Sequence, residues 1–244
     1  MKENLFLARI SDTVDLSLKT SVPHYFGFLT EEEIASAEIF LKKISCNFSF
    51  FGGYDDAQRK VLCCYPDWCE NPDFPITPIT VNFNSSYSLT HRDFLGSLMA
   101  LGITRESVGD ILTENGRAVI FLRNEVLSFV LTQIEKIGRV GVELEKGYKE
   151  PLPITKRLKS FSETVSSARL DCVVSAVCGV SRNSAVAAIE GARVLVNSVC
   201  TEKPTKNIVK GDSITVRGKG KFLIDSLEDR TKKGRIILKY SKYI

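Results

Sequence analysis

No stretch of this 244-residue sequence approaches the roughly 18 to 20 consecutive apolar residues that a membrane-spanning helix needs. The first twenty residues, MKENLFLARISDTVDLSLKT, scatter charges where a secretory signal would need an unbroken apolar core. A cytoplasmic protein with no membrane partner is therefore expected. Histidine is scarce, with only His24 and His91, so both zinc coordination and imidazole-based proton transfer lack their usual side chain. The seven cysteines include no paired Cys-x-x-Cys; CCYPDWC groups Cys63, Cys64 and Cys69 without the four spaced ligands of a closed zinc site. An odd number of thiols without an export signal fits reduced cysteines that pack as small hydrophobes. Neither a metal nor a cofactor is expected.

What is present is a charge division. The net charge of +4 conceals an acidic part, residues 1–150, with fifteen Lys and Arg against twenty-one Asp and Glu, and a basic part, residues 151–244, with eighteen against eight. Lysines and arginines gain free energy by displacing counterions from phosphates, so a basic module on an acidic chain is the footprint of a nucleic-acid partner. A merely solvated basic surface is the bland alternative. At roughly 100 to 200 residues per domain, the length allows two compact units or three small ones.

Proline-rich ENPDFPITP and the aperiodic EKGYKEPLPITKRLKSFSETVSS read as connections, which divides the chain into 1–75, 76–150 and 165–244. The first segment is read as a small α/β domain. Its TEEEIASAEIFLKKI places a capping threonine, Thr30, three residues before Glu33, followed by Ile34, Ala37, Leu41 and Ile44 at helical spacing. The middle segment reads strand (ITPITVNFN), helix (HRDFLGSLMALGI), two strands joined around Asn115-Gly116, helix (EVLSFVLTQIEKI) and strand (GRVGVELE). The order βαββαβ predicts a ferredoxin-like sandwich, the topology of RRM domains, although the aromatic RNP1 pattern that stacks bases in RRMs is missing. The fold class expected for the whole chain is α+β.

The third segment carries the most information. Leu170, Val173, Val174 and Val177 line one helical face, which ends before Gly179. Ser181 then caps a second short helix with Ala185, Ala188 and Ile189 inward and Gly191 at its end. RVLVNSV and DSITVRG pair as strands, completing a helix-hairpin unit. A helix start exposes unpaired N–H groups and partial positive charge, and Ser181 with Arg182 would add a hydroxyl and a charged fork there. Arg169 begins the preceding helix and supplies a second anchor.

The run RLDCVVSAVCGVSRNSAVAAIEGARVLVN, followed by Lys203-Pro204 and VKGDSITVRGKGK, resembles the S-four RNA-binding domain found in the ribosomal protein S-four, many pseudouridine synthases and bacterial tyrosyl-tRNA synthetases. Ser198 departs from the glycine that usually follows the hairpin asparagine. With FFGGYDDAQRKVL (Phe50 to Leu62) and LTHRDFLGSLMALGITRESVGDIL (Leu89 to Leu112), the chain resembles the bacterial YlmH family, whose S-four domain is C-terminal. The resemblance implies a non-catalytic factor that binds rRNA and peptidyl-tRNA on the large ribosomal subunit, in ribosome-associated quality control of stalled translation. The candidate RNA contacts are Arg169, Ser181, Arg182, Asn183, Lys203, Lys206, Arg217, Lys219 and Lys221. His91, Arg92 and Arg105 form a second candidate set for RNA or ribosome contact.

Other motifs weigh less. His91-Arg92-Asp93 has the form of a kinase catalytic loop, but the asparagine required five positions after the aspartate is Leu98. Such a trio also starts helices. GKGK (Gly218 to Lys221) lacks Walker spacing and reads as a basic loop that touches phosphate or is simply a solvated turn. The alternative function is an RNA-modifying enzyme, of pseudouridine-synthase or methyltransferase type, tethered by its S-four-type domain. Its catalytic aspartate would need an Arg-Leu-Asp setting, and the only such triplet is Arg169 to Asp171, at the start of the helix-hairpin unit. A protein-interaction adaptor built on the acidic N-terminal segment is compatible with RNA binding.

Overall fold

The computed structural model describes residues 2–153, 158–227, 231 and 234–243. Residues 154–157 of the expected connection, and 228–230, 232 and 233 of the basic C-terminal extension, lie outside the described residues. The architecture is mixed α/β, with three sheets and six α-helices among the described residues. The chain divides into two compact units, Met1–Thr155 and Lys156–Ile244. Among the described residues no single helix is long and apolar enough to cross a membrane.

The first unit begins with α1 (Lys2–Thr20), β1 (His24–Leu29), α2 (Glu31–Leu41), β2 (Asn47–Phe51) and β3 (Lys60–Tyr65), with the strands ordered β1-β3-β2 and antiparallel. The expected cap of α2 is present in both halves. The Thr30 hydroxyl accepts from Glu33 N, and Thr30 N donates to Glu33 Oε2 at 2.7 Å. Helix α1 was not anticipated, because its scattered charges hide a stripe of Phe6, Ile10, Val14 and Ser17 at helical spacing. Ile10, Val14 and Ser17 are buried. Ile10 and Val14 pack with Ala37, Leu41, Leu62 and Cys64.

The unit continues with β4 (Ile76–Phe83), α3 (His91–Ala100), β5 (Val108–Glu114), β6 (Arg117–Arg123), α4 (Asn124–Gln133), β7 (Lys136–Ile137) and β8 (Val140–Lys146). These strands form an antiparallel sheet ordered β5-β6-β4-β8-β7. Phe94 and Leu98 of α3 and Val130 of α4 pack with Ile79, Val81 and Ile120. The next residues along β6, Val119 and Phe121, point the other way and join Phe28 of β1, Val61 of β3 and Leu112 of β5 in one cluster. The expected boundary near residue 75 therefore separates groups of elements but not cores: the two sheets share buried residues and make one unit.

The second unit contains β9 (Leu158–Val165), α5 (Leu170–Cys178), α6 (Arg182–Glu190), β10 (Val194–Val196), β11 (Val199–Cys200), β12 (Ser213–Val216), β13 (Gly220–Ser226) and β14 (Ile236–Tyr243). Its sheet runs β11-β10-β12-β13-β14-β9. Helix α5 ends where expected, with Gly179 in the left-handed region at φ 61°. Leu170, Val173, Val174, Ala185 and Ile189 pack against Ile214, Phe222 and Leu238 of the sheet. Strand β9 corrects the start of the third domain from 165 to before 158. Its LKSFSETV buries only Val165, so no apolar alternation marks it, and eight-residue pairing with β14 holds it in the sheet.

Candidate nucleic-acid interface

The α5 start is organised around a buried carboxylate. Asp171 is 2% exposed and accepts from Arg169 Nε and Nη2, both at 3.1 Å, and from Arg182 Nε and Nη2 at 2.9 and 2.8 Å. Burial opposes its charge, but the hydrogen bonds from the two guanidinium groups prevail and hold the carboxyl below the usual carboxylate range. The side chains of Arg169 and Arg182 remain 41% and 54% exposed. One carboxylate thus fixes two cations at one end of the helix pair, with one positive charge in excess.

The connection between β11 and β12 folds against the same place. Leu170 N donates to Lys206 O at 2.8 Å and Asp171 N to Pro204 O at 3.0 Å, while Ile208 N reaches Ala168 O. These carbonyls occupy the first amides of α5, so that helix start is closed. They also bring the loop holding exposed Lys203 and half-buried Lys206 beside Arg169. The start of α6 differs. Ser181 Oγ caps Ser184 N at 3.1 Å, and Arg182 and Asn183 occupy the first two helical positions with both side chains exposed. Their amides belong to the turn that has no acceptor within its own helix.

Arg217 and Lys219 form a second group at the β12–β13 turn. A small pocket there is floored by Val174, Ala185 and Val216 and rimmed by Arg193, Arg217 and Lys219. Arg193 escaped the sequence reading, although its place directly after the end of α6 and before β10 was a signal. Lys221 is not part of this group. It alternates with the buried Phe222 along β13, so it lies on the opposite sheet face, where its ammonium is 5.3 Å from the centre of the Tyr243 ring.

The hairpin residues are structural. Asn197 Nδ2 donates to Asp212 Oδ1 at 2.8 Å, and Asn197 Oδ1 accepts from Ser213 N. Asn197 and Ser198 join β10 to β11 with φ values of 52° and 64°, the two-residue turn that favours glycine at its second position.

In the first unit the second candidate set divides. His91 and Arg92 are exposed at the start of α3, where Asp93 Oδ2 accepts from Thr90 N at 2.7 Å. Partial desolvation, together with the positive charge of Arg105, lowers the His91 pKa. Arg105 itself is half-buried, with its guanidinium turned inward. Its guanidinium donates to the carbonyls of Val108 and Gly109, and burial, reinforced by the neighbouring Arg59, pushes its pKa down to about 10. Arg59 donates to the carbonyls of Phe28, Val108 and Arg105. Asp110 accepts from Tyr54 Oη, Gln58 N and Arg59 N. The blocks Phe50–Leu62 and Leu89–Leu112 therefore meet in one hydrogen-bonded node inside the unit.

All seven cysteines are free thiols, and burial pushes Cys63 up to about 12. Among the described residues no three His, Cys, Asp or Glu side chains are placed to share a metal ion.

Comparison with known proteins adds an independent line. Residues 69–150 match the family model described as "Putative RNA-binding domain in YlmH". The chain is 31% identical over 191 residues to the ribosome-associated protein quality control protein P2 of Bacillus subtilis (strain 168), covering 77% of this chain and 74% of that protein. It is also similar to a solved structure, the cell division protein ylmH from Streptococcus pneumoniae, with a TM-score of 0.53 and 25% identity over 60% of this chain and 91% of that one. The segment matched by that model is the middle of the chain, which lacks RNP1 aromatics, whereas the excess of basic residues lies in the C-terminal part.

Proposed function

This chain belongs to the YlmH family, and from that premise we propose that it is a non-catalytic RNA-binding factor of the large ribosomal subunit, acting in quality control of stalled nascent chains. In this reading residues 76–150 are a ferredoxin-like module, and the α5–α6 pair with its hairpin is an S-four-type module. The second contacts rRNA and peptidyl-tRNA through phosphates. The observation that carries the reading is the pair Arg169 and Arg182 held on Asp171, beside the loop that carries Lys203 and Lys206, in a part of the chain with ten net positive charges. Rigidly held cations with free outer faces suit a folded RNA backbone, which is recognised by its shape and phosphates. Burial of Asp171 under two arginines also supports the non-catalytic reading, because the only Arg-Leu-Asp triplet has its carboxylate engaged. A cytoplasmic location follows from that partner.

The test is co-sedimentation of the full chain with separated large and small ribosomal subunits, followed by nucleoside mass spectrometry of the recovered RNA. Retention on the large subunit with no new modified nucleoside is expected. Equal retention on both subunits would remove the large-subunit assignment, and a reproducible new modification would restore the enzyme alternative.

A further inference from the structure

Strand β9 is the last strand of its sheet, and it carries an aromatic ring where an edge strand normally presents charge. Phe161 is paired with Tyr240 of β14, and the two rings stack with centres 5.4 Å apart and planes 16° apart. Tyr240 in turn meets Phe222 of β13 edge-on at 5.9 Å. The ladder begins in the core, where Phe222 is 1% exposed and Tyr240 6%, and ends at Phe161, which is 37% exposed. Among the described residues no strand lies beyond β9, so none of them forms a strand on the side of Phe161 turned from Tyr240.

Two lysines border this ladder on the same face. Lys159 pairs with Lys242, and strand alternation puts both with Phe161, Tyr240 and Phe222. Lys159 Nζ lies 5.5 Å from the centre of the Phe161 ring, and Lys242 Nζ lies 5.6 Å from that of Phe222. Among the described residues neither lysine pairs with a carboxylate. Lys242 also borders the cationic rim of the β12–β13 turn: a Cβ on Gly220 would stand 3.3 Å from Lys242 Cε. The Cys178 thiol, raised by burial, is drawn back by the charges of Lys219 and Lys242 together. Positive charge therefore runs from Arg217 and Lys219 through Lys242 to Lys159 and stops at Phe161. Two residues further along β9, Glu163 carries the opposite sign on the same face.

We propose that this edge is a stacking site for an unpaired RNA nucleotide, with its base against Phe161 and its flanking phosphates on Lys159 and Lys242. The proposal rests on the RNA-binding reading above and adds a second surface to it. Aromatic side chains next to a positively charged track are the chemistry by which single strands are held without a sequence code. Edge protection accounts for Lys159 alone. It does not account for a half-exposed ring on the same edge, which would invite pairing by another strand unless something covers it. The sign change at Glu163 sets the direction: the phosphate backbone leaves the base on the Lys159 side.

The test uses the full chain with a short oligouridylate and a blunt RNA duplex of equal length. Phe161→Ala should weaken oligouridylate binding about ten-fold while duplex binding changes less than about two-fold. Lys159→Ala combined with Lys242→Ala should flatten the salt dependence of oligouridylate binding. In a Trp68→Phe background, Phe161→Trp should bind like the parent, and its fluorescence should be quenched by oligouridylate. The absence of quenching overturns the proposal even if Phe161→Ala proves unstable. So does a stable Phe161→Ala variant that binds oligouridylate like the parent. A parent that binds duplex but no oligouridylate overturns this inference alone, whereas a parent that binds neither probe nor ribosomal subunits overturns the RNA-binding reading with it.

Discussion

Arg182 sends both Nε and Nη2 to a single oxygen of Asp171, Oδ2, eleven residues earlier in the chain, and Arg169 Nη2 reaches the same oxygen at 3.1 Å. The first residue of α6 is thereby tied to the start of α5, and the fork that the sequence suggested was free for phosphate is partly committed within the protein. Its exposed outer edge still faces solvent. Asp171 is thus a positioning residue: it fixes where two positive charges stand without touching a ligand.

Asp171→Asn should lower stability by about 2 to 3 kcal/mol, because a buried acceptor loses its charge while two guanidinium groups remain beside it. The same variant should weaken binding to RNA, since the arginines lose their common anchor. Urea denaturation and RNA titration of the same sample measure the two effects.

The pH dependence of stability has a definite sign. Asp171 ionises more readily folded than unfolded, so its stabilisation is complete above the unfolded carboxylate pKa of about 4 and is lost as pH falls through the lower folded value. The stability difference between parent and Asp171→Asn should therefore be constant from neutral pH down to about 5 and shrink below about 4. Urea midpoints measured across that window check it; a difference that widens in acid would contradict the assignment.

Binding to structured RNA should be dominated by phosphates. With about 4 to 6 phosphate contacts, affinity should fall by roughly two to three decades between 50 and 200 mM salt. Filter binding or fluorescence anisotropy across that range reads the slope directly, and a flat response would exclude the cationic group around Asp171 as the main contact.

Local signals carried much of the fold. The cap of α2 was visible as Thr30 and Glu33, and the spacing of Leu170, Val173, Val174 and Val177 marked α5 with its stop at Gly179. Elements whose stability comes from distant partners were not visible. Strand β9 is polar and almost wholly exposed, and it exists because β14 lies beside it. The site was legible to the same depth. Residue types located the basic groups, but only the folded chain shows that Asp171 orders Arg169 and Arg182, that Arg105 faces inward, and that Phe161 lies next to Tyr240.

Asp110→Ala tests the node of the first unit. The substitution strips the acceptor from Tyr54 Oη and from the amides of Gln58 and Arg59, and it removes a carboxylate that favours the charge of both half-buried Arg59 and Arg105. A loss of about 3 kcal/mol is expected. Differential scanning calorimetry should show it as a lower melting temperature.

The hairpin makes the opposite kind of prediction. Ser198 sits at φ 64°, where a Cβ crowds the neighbouring backbone, whereas glycine adopts this conformation freely. Ser198→Gly should relieve that crowding, with a net gain below about 1 kcal/mol because glycine loses more backbone freedom on folding, and it should leave RNA affinity unchanged because the turn lies outside both cationic groups.

Arg182→Ala is the variant in which positioning and contact meet. Loss of the guanidinium removes two of the donors that hold Asp171 and also one positive charge from the surface. Both melting temperature and RNA affinity should fall, the latter by about ten-fold. Arg182→Lys keeps the charge but cannot place two donors on one oxygen, so it should recover affinity more than it recovers melting temperature. Titrating both variants against the same structured RNA, at a temperature where each is fully folded, separates the roles. If the affinity of Arg182→Ala then equals that of the parent, Arg182 serves Asp171 alone, and the phosphate contacts belong to Arg169 and to the loop holding Lys203 and Lys206.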